Sequence, residues 1–209
     1  ALDRVRQELA RASEIILTMF QTAGKALRND DIEMMRSLVR EDDKIDFLET
    51  ACLDYLSKIR QRQLTSAESL DHQHLMVSAV AMENLADVIE TDIVRLGVQA
   101  IQISHGRSEE TKRLMYDLYA SVENCILLLG PVISEKNPTA AEKILQYERK
   151  IKSIQQALMV RKSNRLGSAD EAALKTARIE VSFSDKLVRM YSLIKRISQE
   201  NFAAEQSPS

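Results

Sequence analysis

Two stretches of this chain carry carboxylates at the spacing of a single helix face: Asp42, Asp46 and Glu49 within EDDKIDFLE, and Glu83, Asp87 and Glu90 within MENLADVIE. Offsets of four and seven residues place each set along one side of an α-helix. Facing each other, four to six carboxylates in a partly desolvated space would raise one another's pKa or recruit a cation. An all-oxygen set suits hard ions such as Mg²⁺, Mn²⁺, Ca²⁺ or Fe³⁺ better than a structural zinc. Met35, Val39, Leu53 and Leu56 bracket the first set, and Met76, Val80, Val94 and Ile101 the second, so the acidic patch reads as an interruption of two apolar stripes. The other reading of the same spacing is a solvated acidic face, or one paired with Lys and Arg across a bundle.

Further chemistry is sparse. Glu-x-x-His, which di-iron bundles use, does not occur; His72 and His74 read as loop residues before the third helix, and His105 falls at its far end. Neither Cys52 nor Cys125 has an activating His or basic residue at helical spacing, and no glycine-rich phosphate loop is present. No catalytic residue is assigned. Arg60 and Arg62, with Arg161, Lys162 and Arg165, make a small basic rim at matching helix ends, which could meet lipid headgroups or an acidic partner, or be solvated helix ends.

The elements that position these residues are helices. Five Gly and three Pro in 209 residues leave few turns, strong helix formers dominate, and aromatics are 4%. With 29 basic and 31 acidic residues, no global field favours nucleic acid. The longest apolar run, residues 125–133, is far short of the ~20 residues of a membrane span. Two cysteines inside apolar pattern fit a reduced compartment.

Apolar spacing of three and four predicts helices over 2–27, 32–61, a third running to about 104, then 108–134, 138–164 and 169–202. Thr65-x-x-Glu68 has the form of a capping box, and Gly130-Pro131 should bend the fourth helix or end it early. The tail from 203 to 209 reads as disordered.

A shift of 106 residues places Gly24 on Gly130, Leu38 on Ile144, Asp42 on Glu148, Ile45 on Ile151 and Leu48 on Ile154. A shift of 98 then places Asp87 on Asp185, Ile89 on Leu187 and Leu96 on Ile194. The expected fold is therefore all-α, two tandem three-helix bundles related by an internal repeat, 1–105 and 106–202. Asp42, Asp46, Glu83 and Asp87 sum to −4, whereas the equivalent Glu148, Lys152, Val181 and Asp185 sum to −1, so the first half looks competent and the second degraded.

This duplicated unit, with Asp42-Asp43-Lys44-Ile45-Asp46 on its middle helix and Glu83-Asn84-Leu85-Ala86-Asp87 on its third, resembles the PhoU family over nearly the whole chain. The resemblance implies a six-helix, non-enzymatic regulator of phosphate uptake whose signature carboxylates hold iron or zinc clusters on the bundle surface. It puts the metal role on Asp42, Asp46, Glu83 and Asp87, with Asp43, Glu49 and Glu90 in support, and a weak second site on Glu148 and Asp185. Iron, zinc, manganese and magnesium all remain open as the ion. The form MENLADVIE is similar to the cytosolic C-terminal region of sodium/phosphate cotransporter proteins, which implies a piece of a longer membrane protein at the inner face of the plasma membrane. The expected partner is then a membrane phosphate transporter, in the full-length chain its own transmembrane region, with a homodimer as a further expectation. The competing readings are a free-standing regulator of phosphate uptake, a metal-dependent hydrolase, and a metal-free structural or dimerisation bundle.

Overall fold

A computed structural model describes residues 1–40, 42–103, 108–165 and 171–203, without the side chains of residues 40, 42, 43, 165 and 203. The breaks expected at His105-Gly106 and Gly167-Ser168, and the tail, lie outside the described residues. No strand occurs among those described.

Helix α1 (Leu2–Asn29) buries Val5, Leu9, Ala12, Ile16, Met19, Phe20, Ala23 and Ala26, the stripe its spacing dictates. It ends where Asp30 turns left-handed, with φ 52°. Asp31 then accepts from the Met34 N–H at 2.9 Å and starts α2 (Ile32–Ser37). The single helix expected over 32–61 is divided: a 3₁₀ turn at Leu38–Arg40 separates α2 from α3 (Asp42–Arg60). No Gly or Pro marks this break. Its cause is tertiary: both pieces pack on α1, but α2 also packs on α5 whereas α3 packs on α4. Met35 is fully buried against Gly97, where an added Cβ would come within 2.6 Å of Met35 Cε and push the thioether end aside.

The capping box forms as expected: Thr65 Oγ1 accepts from the Glu68 N–H, and Glu68 Oε2 from the Thr65 N–H, at the start of α4 (Ser66–Asp87). The chain stays helical to Gln102, but Val88–Ile93 widens into a π-helical segment before α5 (Val94–Gln102). Helix α6 (Glu109–Ser134) passes through Pro131 and stops three residues later. Gly130 has no Cβ to meet the proline ring, which permits the helical pre-proline conformation. Helix α7 (Pro138–Arg165) starts with the Asn137 side chain capping the Ala140 N–H, and α8 (Glu171–Ala203) is the last helix among the described residues.

The first half contributes three helical arms, α1, α2–α3 and α4–α5, and the second contributes α6, α7 and α8. One hydrophobic core runs through both. Its centre is the antiparallel pair α1 and α6, where Tyr119 stacks on Phe20 with ring centroids 4.0 Å apart. Helix α3 packs on α1 and α4 at one flank, and α7 packs on α6 and α8 at the other.

Candidate functional site

Helices α3 and α4 form an antiparallel hairpin whose register is fixed by contacts from His72 Nε2 to the Leu56 carbonyl at 2.9 Å and from Arg60 to Ser69 Oγ at 2.8 Å. Ile45, Cys52 and Leu56 point into the core from α3, and Leu75, Ala79, Met82 and Leu85 from α4. Helical geometry then leaves Asp46, Glu49, Glu83 and Asp87 on the outer flank. Glu83 is half-buried, and its carboxyl is pushed above the usual range first by burial and then by the charges of Glu49, Asp87 and Asp46. Among the described residues none of these four forms an ion pair with a cation; Asp87 accepts a hydrogen bond from Thr91 at 3.2 Å. The structure thus brings four of the expected residues into one electrostatic neighbourhood.

The side chains of Asp42 and Asp43 lie outside the described residues. Glu90 sits in the π-helical segment, whose wider turn takes it out of the i, i+7 alignment with Glu83. The bracketing apolar residues are another difference. Met35, Leu56, Val94 and Ile101 are buried, whereas Met76, Val80 and Val39 are 41%, 43% and 46% exposed, so the acidic set borders the core on one side and exposed apolar side chains on the other. Nearby Phe47 is 73% exposed.

A metal group is chemically compatible with this donor set, since an uncompensated field of carboxylates favours a hard cation. Among the described residues, however, no three His, Cys, Asp or Glu side chains converge to hold one ion. The four carboxylates share a field rather than a formed coordination sphere.

In the second half the equivalent surface carries its own cations. Glu148 Oε1 accepts from Lys152 Nζ and Oε2 from Lys195 Nζ, each at 2.7 Å. These bonds lower the Glu148 carboxyl to about 2. Lys152 stands where the first half has Asp46, and Lys195 where it has Gly97. Asp185 accepts from Gln155 Nε2 at 3.3 Å, and Val181 is buried.

The histidines depart from expectation. His72 and His74 are helical and buried in α4, not loop residues, because Thr65 starts the helix seven residues ahead of the first of them. His74 Nε2 lies 3.7 Å from Glu200 of α8, at the end of the bundle where buried Arg6 bonds Asp71 and donates to the Ile133 carbonyl at 3.1 Å. Lys136 adds a 3.3 Å pair to Asp71. A second unexpected residue is Asp92, which joins Lys186 at 2.7 Å and Arg95 at 3.2 Å, tying the π-helical segment to α8. Burial pushes its carboxyl up, but the bonds from Lys186 and Arg95 bring it below the usual range. No periodicity in the sequence marks these pairs, which join residues far apart in the chain. In the basic rim, Arg161 is engaged: it donates to Ser108, Thr111 and Glu110 at the start of α6. A cavity of about 490 Å³ opens between α1, α5, α6 and α8, near Leu27, Tyr119 and Phe183; none of the expected site residues lines it.

Residues 9–105 match the PhoU domain family. That span contains every residue of the first acidic site. The tertiary structure is similar to PhoU from Pseudomonas aeruginosa, with a TM-score of 0.88 over 98% of this chain and 97% of that one at 15% identity. It is also similar to PhoU of Streptococcus pneumoniae, a phosphate transport system regulatory protein, with a TM-score of 0.80 over 98% and 95% at 16% identity. At these identities the likeness establishes the fold, and the fold is the PhoU helical bundle. No curated protein sequence matches the chain significantly. Among the described residues of this PhoU-like bundle, no helix is long and apolar enough to cross a membrane.

Proposed function

We propose that this chain is a non-enzymatic PhoU-family regulatory domain of phosphate transport that acts on a membrane phosphate transporter and binds a metal ion at the acidic face of its first half. In this reading it resembles the cytosolic C-terminal domain of sodium/phosphate cotransporter proteins and works at the inner face of the membrane. The PhoU match over residues 9–105 supports the regulatory part. The observation that carries the site is the grouping of Asp46, Glu49 and Asp87 around half-buried Glu83, whose carboxyl is raised first by burial and then by those three charges, while Glu148 on the second-half surface is paired to Lys152 and Lys195. A cation relieves that repulsion, with Asp42 and Asp43 as further oxygen donors. The buried thiols fit a non-catalytic role: burial raises both, Cys125 to about 12, so neither is a ready thiolate.

The test is a titration of metal-stripped protein with Mn²⁺, Fe³⁺, Zn²⁺ and Mg²⁺, followed by thermal unfolding. At 100 times its Kd one ion stabilises the fold by about 2.7 kcal/mol. Asp46→Asn combined with Glu83→Gln should remove that gain, and Glu148→Gln should leave it intact. Equal stabilisation of the Asp46→Asn/Glu83→Gln variant would overturn the site assignment. For the transport role, phosphate uptake is measured in cells with this region deleted; unchanged uptake would sink the regulatory reading.

A further inference from the structure

The cavity between α1, α5, α6 and α8 is built like a ligand site. At about 490 Å³ it falls within the range of small-molecule pockets, roughly 300–1,000 Å³. Its walls change with depth. Inside, Ala100 of α5, Tyr119 of α6 and Ile179 and Phe183 of α8 are buried, with the Tyr119 and Phe183 ring centroids 6.5 Å apart. At the mouth Arg28, Asp30, Lys112 and Tyr116 are exposed.

Charge of opposite sign stands at the two depths. Glu180, beside Ile179 on α8, is 7% exposed, which puts a carboxylate deep in a wall that is otherwise apolar and aromatic. Burying such a group is costly unless donors reach it. A carboxylate has about four lone-pair sites, so the contact that Glu180 makes within the protein leaves room for the N–H donors of a ligand. At the mouth, Arg28 forms no ion pair among the described residues. Its charge is felt at the Tyr119 hydroxyl, where it opposes the rise that burial and then Glu123 impose on that phenol. Lys112 is held by Glu109 at 2.7 Å in an exposed pair, a contact that an incoming anion replaces at little cost. Asp30 reduces the net charge of the rim, which therefore suits one anionic group rather than a chain of them.

We propose that this cavity binds a nucleoside monophosphate, with its base against Tyr119 and Phe183, the N–H donors of the base on Glu180, and its phosphate at Arg28 and Lys112. The separation of the poles carries the choice: an acceptor lies inside, cations lie at the rim, and apolar surface lies between them. A free aromatic amino acid has its ammonium and carboxylate on one carbon and does not reach both. A fatty acid leaves Glu180 facing methylene groups, and inorganic phosphate leaves the apolar walls unused. The walls come from α1 and α5 of the first half and from α6 and α8 of the second, so the ligand bridges the two repeats. None of the lining residues belongs to the acidic face of α3 and α4, so the site is independent of the metal reading.

Isothermal titration calorimetry of the metal-stripped chain with AMP and GMP tests this, beside adenosine, guanosine, phenylalanine, myristate and inorganic phosphate. One of the monophosphates should bind one to one with a Kd below about 1 mM, and about tenfold or more tighter than its own nucleoside or inorganic phosphate. Arg28→Glu, at an exposed position, should weaken that nucleotide by about tenfold or more and leave its nucleoside unchanged. Glu180→Gln should weaken nucleotide and nucleoside alike. Met115→Trp, at a half-buried position of the wall, should fill the cavity and abolish binding of both. Melting curves of the unliganded variants verify that each is folded. The proposal is overturned if neither monophosphate binds up to about 1 mM, or if the nucleotide affinity is unchanged in any folded variant of the three. Phenylalanine, myristate or inorganic phosphate binding more tightly than both nucleotides overturns it as well.

Discussion

Gly24 lies under the ring of Tyr119, where an added Cβ would come within 2.9 Å of the ring carbon Cε1. The repeat-equivalent Gly130 faces Ser13, and Ser13 is itself the position equivalent to Tyr119 under the 106-residue shift. Helices α1 and α6 therefore cross antiparallel about a pseudo-two-fold axis, each giving a glycine to the other. Tyr119 cannot yield, because it stacks on Phe20 and donates its hydroxyl proton to the Phe20 carbonyl. Gly24→Ala should cost about 1–3 kcal/mol by overpacking. Gly130→Ala meets Ser13 Oγ at an ordinary 3.4 Å and suffers mainly from the neighbouring proline, so it should cost less than about 1 kcal/mol. Urea unfolding of the two variants checks the order.

Glu83 is held above the ordinary carboxylate range first by burial and then by Glu49, Asp87 and Asp46. Its protonated form is favoured by folding, so its contribution to stability is present below the unfolded value and is lost as pH rises through the folded one. Glu83→Gln should raise the Tm of metal-stripped protein at neutral pH, and the gain should disappear in acid. A pH series of melting curves reads both.

Glu148 behaves in the opposite sense. Lys152 and Lys195 hold it at about 2, so its contribution is present above the ordinary carboxylate range and fades as pH falls toward that value. Glu148→Gln should lower the Tm at neutral pH and flatten the loss of stability in acid. The pH dependence of its unfolding midpoint beside that of wild type decides this.

His74 is pushed down by burial and by the charges of Arg6 and Lys136, against an upward pull from Glu200. Its neutral form is the one that folding favours, so its contribution is present above about 6.5 and is lost as pH falls through the lower folded value. His74→Gln should lessen the destabilisation of the wild type between about pH 7 and pH 5. Histidine titration followed by NMR gives the direction independently.

Arg6 is 2% exposed, bonded to Asp71 and donating to the Ile133 carbonyl. Arg6→Met keeps the apolar stem and removes the donors. Leaving the carbonyl unsatisfied should cost about 1–3 kcal/mol, with Asp71 retaining Lys136. Chemical denaturation measures the loss; an unchanged midpoint would mean water replaces the guanidinium at no cost.

By itself the sequence determined the helical class, the repeat and the acidic positions, because these are periodic or local. Val5 through Ala26 announces α1 by spacing, Thr65 and Glu68 announce α4 by capping, and Asp46 and Glu83 share a flank once their helices exist. The sign of the second half was equally legible, since Lys152 replaces a carboxylate at the position of Asp46. Only the tertiary structure decided the rest. The break at Leu38 follows from two different packing partners, and the burial of His74 and Arg6 follows from where α8 and the end of α6 arrive. The widening at Val88–Ile93 shifts Glu90 out of line. Lys195 reaches Glu148 across 47 residues, whereas Gly97 holds the equivalent place in the first half. Long-range pairs such as these leave no period in a sequence, because their energy comes from neighbours that only the completed fold supplies.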